Sequence, residues 1–152
     1  MKVRPARPAD SAAWATLRHA LWPDADATVL ADEALAFLAG GVAPTGLAAV
    51  FVAEASDGAL LGMIELSLRP YADGCESSPV PYIEGWYVAE GHRGRGIGAA
   101  LVRAAENWAR ALGHSEMASD ALLGNVASEG AHKALGFTEI ERAIRFRKRL
   151  VP

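Results

Sequence analysis

The residues with the clearest chemical promise lie between Val88 and Gly98, where Val88-Ala89-Glu90-Gly91-His92 leads into Arg93-Gly94-Arg95-Gly96-Ile97-Gly98. Glycine admits positive φ, which lets successive backbone N–H groups turn into one concavity. The pattern predicts a strand before this run and an amphipathic helix after it, so the helix N-terminus adds unpaired donors and partial positive charge. Arg93 and Arg95 can add charge-assisted hydrogen bonds. These are the parts of a pyrophosphate cradle. The plainer alternative, a turn whose glycines serve geometry alone, explains neither the alternating arginines nor the helix that follows at once. A P-loop kinase is a poor alternative because no lysine and no Gly-x-x-x-x-Gly-Lys-[Ser/Thr] occur here. A Rossmann site is disfavoured by the spacing and by the absence of a second βαβ half.

The elements that must position this loop follow from periodicity. Lys2 to Ala6 reads as a strand, and Pro8-Ala9-Asp10-Ser11 opens a helix with Trp14, Leu17 and Leu21 on one face, Asp10 or Ser11 being its cap. A second helix is expected from Ala27 to Leu38, stopped by Gly40-Gly41. Strands are expected at Leu47–Glu54, Leu60–Leu68 and Tyr82–Val88, with a loop from Arg69 to Pro81. Ile97, Leu101, Ala105, Trp108 and Leu112 form the apolar stripe of the helix after the glycines, which Gly113 ends. A short strand at Glu116–Ser119, a helix around Ala127–Leu135 and closing strands at Phe137–Glu141 and Ile144–Leu150 complete one mixed α/β domain over residues 1–152.

Of the 152 residues, 51% are hydrophobic and 22% charged, and the formal net charge is −3. This composition supports a real core and disfavours generic nucleic-acid binding. An acidic protein can gather carboxylates in one cleft, which suits a cationic small molecule. A lone cysteine, Cys75, permits neither an internal disulfide nor a cysteine-based metal site, and no base is positioned by sequence to activate it. No segment has the roughly 20 apolar residues of a membrane helix, and the N-terminus lacks the apolar stretch of a signal peptide. A cytoplasmic protein without a membrane partner is expected. His132 has the spacing of a packed, hydrogen-bonded side chain.

The run from Arg93 to Gly98, the helix after it, Asn125 and Ala134-Leu135-Gly136-Phe137 resemble the CoA-binding motif of the GNAT acetyltransferases. Segments outside that motif resemble the chromosomally encoded aminoglycoside 6'-N-acetyltransferases. They are Leu21-Trp22-Pro23, the run from Tyr71 to Val80, Glu84-Gly85-Trp86-Tyr87-Val88, the stretch from Met117 to Asp120, and the stretch from Gly136 to Arg142. The resemblance implies a GNAT fold, a central, mostly antiparallel twisted sheet with helices on both faces. It implies acetyl-CoA as co-substrate, no metal, an aminoglycoside as acceptor, drug resistance as the outcome, and a homodimer. It places Trp22, Tyr71, Glu84, Asp120 and Glu141 in an acidic, aromatic acceptor cleft. It sets the backbone of Trp86, Tyr87 and Val88 against the pantetheine arm, Arg93, Gly94, Arg95, Gly96, Ile97 and Gly98 on the pyrophosphate, and Asn125 on the CoA chain.

Strand alternation puts Glu84 and Trp86 on one face, with Gly85 as the possible site of a bulge. Only a neutral amine attacks a thioester, and an amine of pKa about 10.4 costs roughly 4–5 kcal/mol to deprotonate at neutral pH. Carboxylates that bind the cation raise that cost. Most of them are therefore expected to bind, while Glu84 through water, or Asp120, removes the proton. Backbone N–H groups near Val88 would polarise the thioester carbonyl during direct attack. No tyrosine follows Tyr87, and Phe146 occupies the late region where many relatives carry a tyrosine acid. The thiolate is then left to solvent protonation. Another small amine such as a polyamine, a protein amine, or a non-catalytic acyl-CoA sensor are the alternatives.

Overall fold

The computed structural model describes residues 1–40 and 46–151, so Gly41, the second half of the expected helix stop, lies outside the described residues. Two compact units divide the chain after Asp120. The first carries β1 (Lys2–Pro5), a 3-10 turn (Pro8–Asp10), α1 (Ser11–Leu21), α2 (Ala27–Leu38), β2 (Leu47–Glu54), β3 (Leu60–Arg69), β4 (Val80–Val88), α3 (Ile97–Ala111) and β5 (Ala118–Ser119). The second carries α4 (Val126–Ala134).

The sheet runs in the order β1-β2-β3-β4-β5, antiparallel throughout except for the parallel β4–β5 pair. Helices cover both faces, as period-2 alternation on β3 requires. Met63 joins Trp14, Leu17, Val50 and Val52 in the core beneath α1 and α2, whereas its neighbour Gly62 lies against Leu101 of α3. Trp14 is fully buried, its ring edge-on to Phe37 with centroids 5.7 Å apart. The α3 stripe differs slightly from expectation. Ile97, Leu101, Val102, Ala105 and Ala109 are buried, while Leu112 is exposed.

Polar residues set the element ends. Asp26 caps α2 by accepting from Thr28 N at 2.8 Å and Val29 N at 3.2 Å. Asp10 precedes α1 but its carboxylate does not cap it. It accepts from Arg7 N and from the Arg4 guanidinium, which also binds Glu54, so one buried cation ties β1, the 3-10 turn and β2 together. The hydrogen bonds from Arg4 hold the Asp10 carboxyl below the usual carboxylate range. Further on, Glu116 accepts from Ser77 N, Ser77 Oγ and Glu76 N, which pins the long loop between β3 and β4.

In the second unit, Asn125 caps α4 by accepting from Ser128 N at 3.1 Å. The helix ends at Gly136, whose φ of +90° only glycine adopts at low cost. His132 behaves as expected for a packed side chain, with Nδ1 2.7 Å from Ser128 O and its ring edge-on to Phe137. The expected strands at Phe137–Glu141 and Ile144–Leu150 do not form. These residues have no regular structure, and Ile144, Phe146 and Leu150 are exposed. Alternating apolar and basic residues supply strand character, but a strand persists only where a neighbour accepts its backbone hydrogen bonds. Among the described residues no helix is long and apolar enough to cross a membrane, and no group of three potential ligands could hold a metal ion.

Gly62 marks the closest packing in the sheet. A Cβ built there would stand 2.7 Å from Tyr87 O and 3.3 Å from Val88 Cα, both backbone atoms of β4. Gly62→Ala should therefore lower unfolding free energy by about 1–3 kcal/mol in urea titration, with little change in m-value. Wild-type stability in that variant would contradict the packing described.

Candidate active site

The site is organised by β4. On one side β3 pairs with it along its whole length, from Arg69↔Val80 to Gly62↔Val88. On the other, β5 pairs only at Tyr82↔Ala118 and Ile83↔Ser119. Beyond Ile83 no described strand takes the backbone of Trp86, Tyr87 and Val88 on that side, which leaves an open edge able to receive an extended, amide-bearing chain.

A bulge lies where the opening begins. Glu65 pairs with Gly85 and Leu66 with Ile83, so Glu84 is the extra residue. This confirms the bulge expected near Gly85 and corrects the expected facing of the side chains. Glu84 reaches Ser67 and Arg69, Gly85 faces the indole of Trp22 at the end of α1, and Trp86 lies against Gly98 of α3. Glu84 and Trp86 thus point to opposite faces, because the inserted residue breaks the alternation.

Directly after β4 comes the glycine turn. Gly91, Gly94 and Gly96 all have positive φ, and Gly96 adopts the left-handed conformation immediately before α3. No side chain caps α3, so its first amides remain available to an anion. A Cβ on Gly94 or Gly96 would meet nothing within 4 Å, so glycine is needed there for φ alone, whereas at Gly98 the Trp86 ring lies 3.1 Å from such a Cβ. The open concavity and uncapped amides fit a diphosphate. Arg93 folds back, with Nε donating to Val88 O at 3.0 Å and the guanidinium 5.4 Å from the Tyr87 ring centroid.

The acidic residues are not bare charges. Glu84 accepts from Ser67 Oγ and takes two 2.8 Å hydrogen bonds from Arg69. Burial pushes its carboxyl up, but hydrogen bonds from Arg69 and Ser67 and the Arg69 charge outweigh this and leave it below the usual range. Arg69 also stacks on Tyr82, 3.6 Å from the ring centroid, and Tyr82 donates its hydroxyl to Asp120 at 2.7 Å. Burial, and then the Asp120 carboxylate, push the Tyr82 phenol well above its ordinary value, so it stays a neutral donor. One cluster therefore joins Glu84, Arg69, Tyr82 and Asp120. Tyr71 lies on the β3–β4 loop, 68% exposed, donating to Asp73 at 2.9 Å. Asn125 and the exposed Glu141 belong to the second unit. Burial and Glu116 raise the Cys75 thiol, which argues against a thiolate nucleophile.

Sequence reasoning missed Ser67, Arg69 and Tyr82. Their spacing put Ser67 with Arg69, and Tyr82 with Glu84, on common strand faces. The register that brings the two pairs together depends on a ten-residue loop whose geometry no local pattern specifies.

The sequence matches the acetyltransferase (GNAT) family over residues 13–137, and the chain belongs to that family. It is 50% identical over 148 residues, 97% of this chain and 96% of the relative, to the aminoglycoside N(6')-acetyltransferase type 1 of Klebsiella aerogenes. It is 46% identical to the protein of the same name from Stenotrophomonas maltophilia, over 99% of this chain and 94% of that one. Among solved structures, AAC(6')-Iy in complex with the bisubstrate analog CoA-S-monomethyl-acetylneamine superposes with a TM-score of 0.86 at 36% identity, covering 97% of both chains. The apo AAC(6')-IG of Acinetobacter haemolyticus gives 0.81 at 36% identity, covering 99% of this chain and 100% of that one.

The Arg69–Glu84 pair makes a direct prediction. In a carboxyl-selective carbon NMR titration, Glu84 stays ionised below the ordinary glutamate midpoint of about 4.3, and Arg69→Met moves its midpoint above that value, because burial is then opposed by the Ser67 hydrogen bond alone. Since the folded midpoint is depressed, the pair stabilises the fold above the unfolded-state pKa and loses that contribution as pH falls through the folded one. An unmoved midpoint in the variant would count against the pair.

Proposed function

We propose that this enzyme transfers the acetyl group of acetyl-CoA to the 6'-amino group of aminoglycosides, and so confers resistance to them, with residues 1–152 acting as one catalytic domain. The observation that carries the proposal is the carboxylate pair Glu84 and Asp120, bridged by Arg69 and Tyr82 at the point where β4 loses its second neighbour. This sets anionic groups for a polycationic sugar beside a backbone edge and a glycine turn suited to CoA. The full-length similarity to aminoglycoside N(6')-acetyltransferases supports the choice of acceptor.

Acetyl-CoA supplies the acetyl thioester. The amides of Arg93 to Gly98 hold its diphosphate, and the backbone of Trp86 to Val88 orients the pantetheine arm. Trp22 offers a flat indole face to a sugar ring, Tyr71 adds a second ring from the β3–β4 loop, and Glu84 and Asp120 draw in the ammonium groups. Glu84 already receives three hydrogen bonds, which makes it a strong anion and a weak proton acceptor. Proton removal through water therefore falls to Asp120, whose tyrosine donor stays neutral, while Glu84 binds the cation. The need for acetyl-CoA supports a cytoplasmic location.

A homodimer accords with the C-terminal segment, where Ile144, Phe146 and Leu150 alternate with arginine and lysine and Phe146 is 91% exposed. A second copy able to accept these residues would bury apolar surface that a monomer leaves in water. Light scattering should report about twice the mass expected of one 16.0 kDa chain. A Phe146→Glu, Leu150→Glu double variant should halve that mass, and a wild-type monomer would overturn the assignment.

With kanamycin and a thiol-release assay, Asp120→Asn should cut kcat by roughly 10²- to 10⁴-fold, the range for loss of a positioned base. Glu84→Gln should mainly raise the KM for the amine. Neither should change the calorimetric Kd for acetyl-CoA by more than about 2-fold, since the diphosphate is held elsewhere. Equal losses for both ligands, or no acetylated kanamycin from the wild type, would refute the proposal.

A further inference from the structure

Trp14, Arg18 and Trp22 recur every four residues along α1 and its C-cap, so they share one helix face. The Arg18 guanidinium carbon lies 5.6 Å from the Trp14 ring centroid and 5.4 Å from that of Trp22. Arg18 is 4% exposed, and its Nε donates to Glu65 at 2.7 Å. Glu65, 1% exposed, also accepts from Trp14 Nε1 at 2.8 Å. Through Nη1 Arg18 donates to both Leu30 O and Glu33 on α2. One buried cation therefore links α1, α2 and β3.

Stability alone does not account for this arrangement. Two charges taken this far out of water incur a desolvation cost that well-packed apolar residues avoid, and replacing such a pair by apolar residues is often neutral or stabilising. Its location explains more. Glu65 is the β3 residue paired with Gly85, beside the bulge that carries Glu84. Trp22, beside the same Arg18 guanidinium, lies with its ring edge over Gly85, 2.8 Å from where a Cβ would stand. Bulge, buried carboxylate, guanidinium and indole thus form one continuous set of contacts.

We propose that Arg18, anchored by Glu65, is a positioning residue that fixes the Trp22 indole over Gly85 and thereby sets affinity for the acceptor but not for acetyl-CoA. The proposal rests on the aminoglycoside assignment for its kinetic consequence and on the contacts alone for its structural one. The guanidinium contributes a planar, permanently charged surface that stacks on an indole while its edge is hydrogen-bonded, which a lysine ammonium cannot do.

Arg18→Met should raise the KM for kanamycin by about 10-fold, the scale of a desolvated cation–π contact, and leave kcat and the KM for acetyl-CoA within about 2-fold. Arg18→Lys, which keeps the charge for Glu65, should fall between the two and serves as the measurable variant if the methionine protein does not fold. In a Trp22→Ala background the same substitutions at Arg18 should change the kanamycin KM by less than about 2-fold, because the group being positioned is gone. A merely structural Arg18 would instead give additive losses, and such additivity would overturn the proposal. Fluorine NMR of 5-fluorotryptophan protein gives an answer independent of the acceptor. The Trp22 resonance, assigned by its loss in Trp22→Phe, should shift or broaden in Arg18→Lys. An unchanged resonance refutes the positioning role, whereas a changed resonance with no acetylation of kanamycin by the wild type would refute the aminoglycoside assignment alone.

Discussion

The arrangement depends on one asymmetry: β4 has a full-length partner on one side and a two-residue partner on the other. Buried backbone amides must find partners. A strand whose C-terminal half has no second strand beside it among the described residues offers a binding edge for an extended ligand. The bulge at Glu84 falls at this transition and adds local twist, which helps separate β4 from β5. The glycine turn and the N-terminus of α3 follow within a few residues. A ligand with an extended amide arm and a diphosphate at its end therefore finds an edge and then an anion cradle along one continuous stretch of chain. Chain order alone makes the two subsites adjacent.

The acceptor side solves a different problem. It must attract a cation without making that cation harder to deprotonate. Carboxylates left bare would favour the ammonium form. Here Arg69 already offsets Glu84, and Tyr82 already donates to Asp120. The local field is therefore milder than the count of acidic residues implies. The stack of Arg69 on Tyr82 couples the two carboxylates, so an incoming ammonium meets a network with its own internal cation. Such a network can adjust its hydrogen bonds as the ligand enters, a property that isolated acidic side chains lack.

Much of this was legible in the sequence, and for stated physical reasons. The glycines at 91, 94 and 96 announced a turn, and the apolar stripe after Ile97 announced a helix. Both depend on local interactions. The bounds of α2 and β2 followed equally from local pattern. Long-range register was not legible. The meeting of Ser67 and Arg69 with Tyr82 and Glu84 needs the β3–β4 pairing. The opposite facing of Glu84 and Trp86 needs the inserted bulge residue, which reverses a period-2 inference. Arg18 was passed over because a cationic residue on an otherwise apolar helix face reads as a solvated interruption. Its burial depends on distant acceptors, Glu65, 47 residues away in sequence, together with Glu33 and Leu30 O on α2. The C-terminal segment shows the converse, since its alternation of apolar and basic residues is genuine yet residues 137–151 form no strand.

The glycines along β4 and its following turn, with those packed against them, separate into two physical roles that sequence alone cannot distinguish. Gly94 and Gly96 have open space around them and are required by φ. Gly62, Gly85 and Gly98 have ordinary φ and are required by contact. Their missing side chains admit the Tyr87 carbonyl, the Trp22 indole and the Trp86 indole respectively. All three contacts converge on residues 85–88 of β4. Close packing at native density transmits small displacements rather than absorbing them. A catalyst that aligns an amine with a thioester must hold geometry to a fraction of an ångström, since small misplacements cost large factors in rate. The turn glycines thus shape a surface for the diphosphate, while the contact glycines fix the strand from three directions. The rigidity of β4 that results gives its open edge a defined position relative to Glu84 and to the indole held by Arg18.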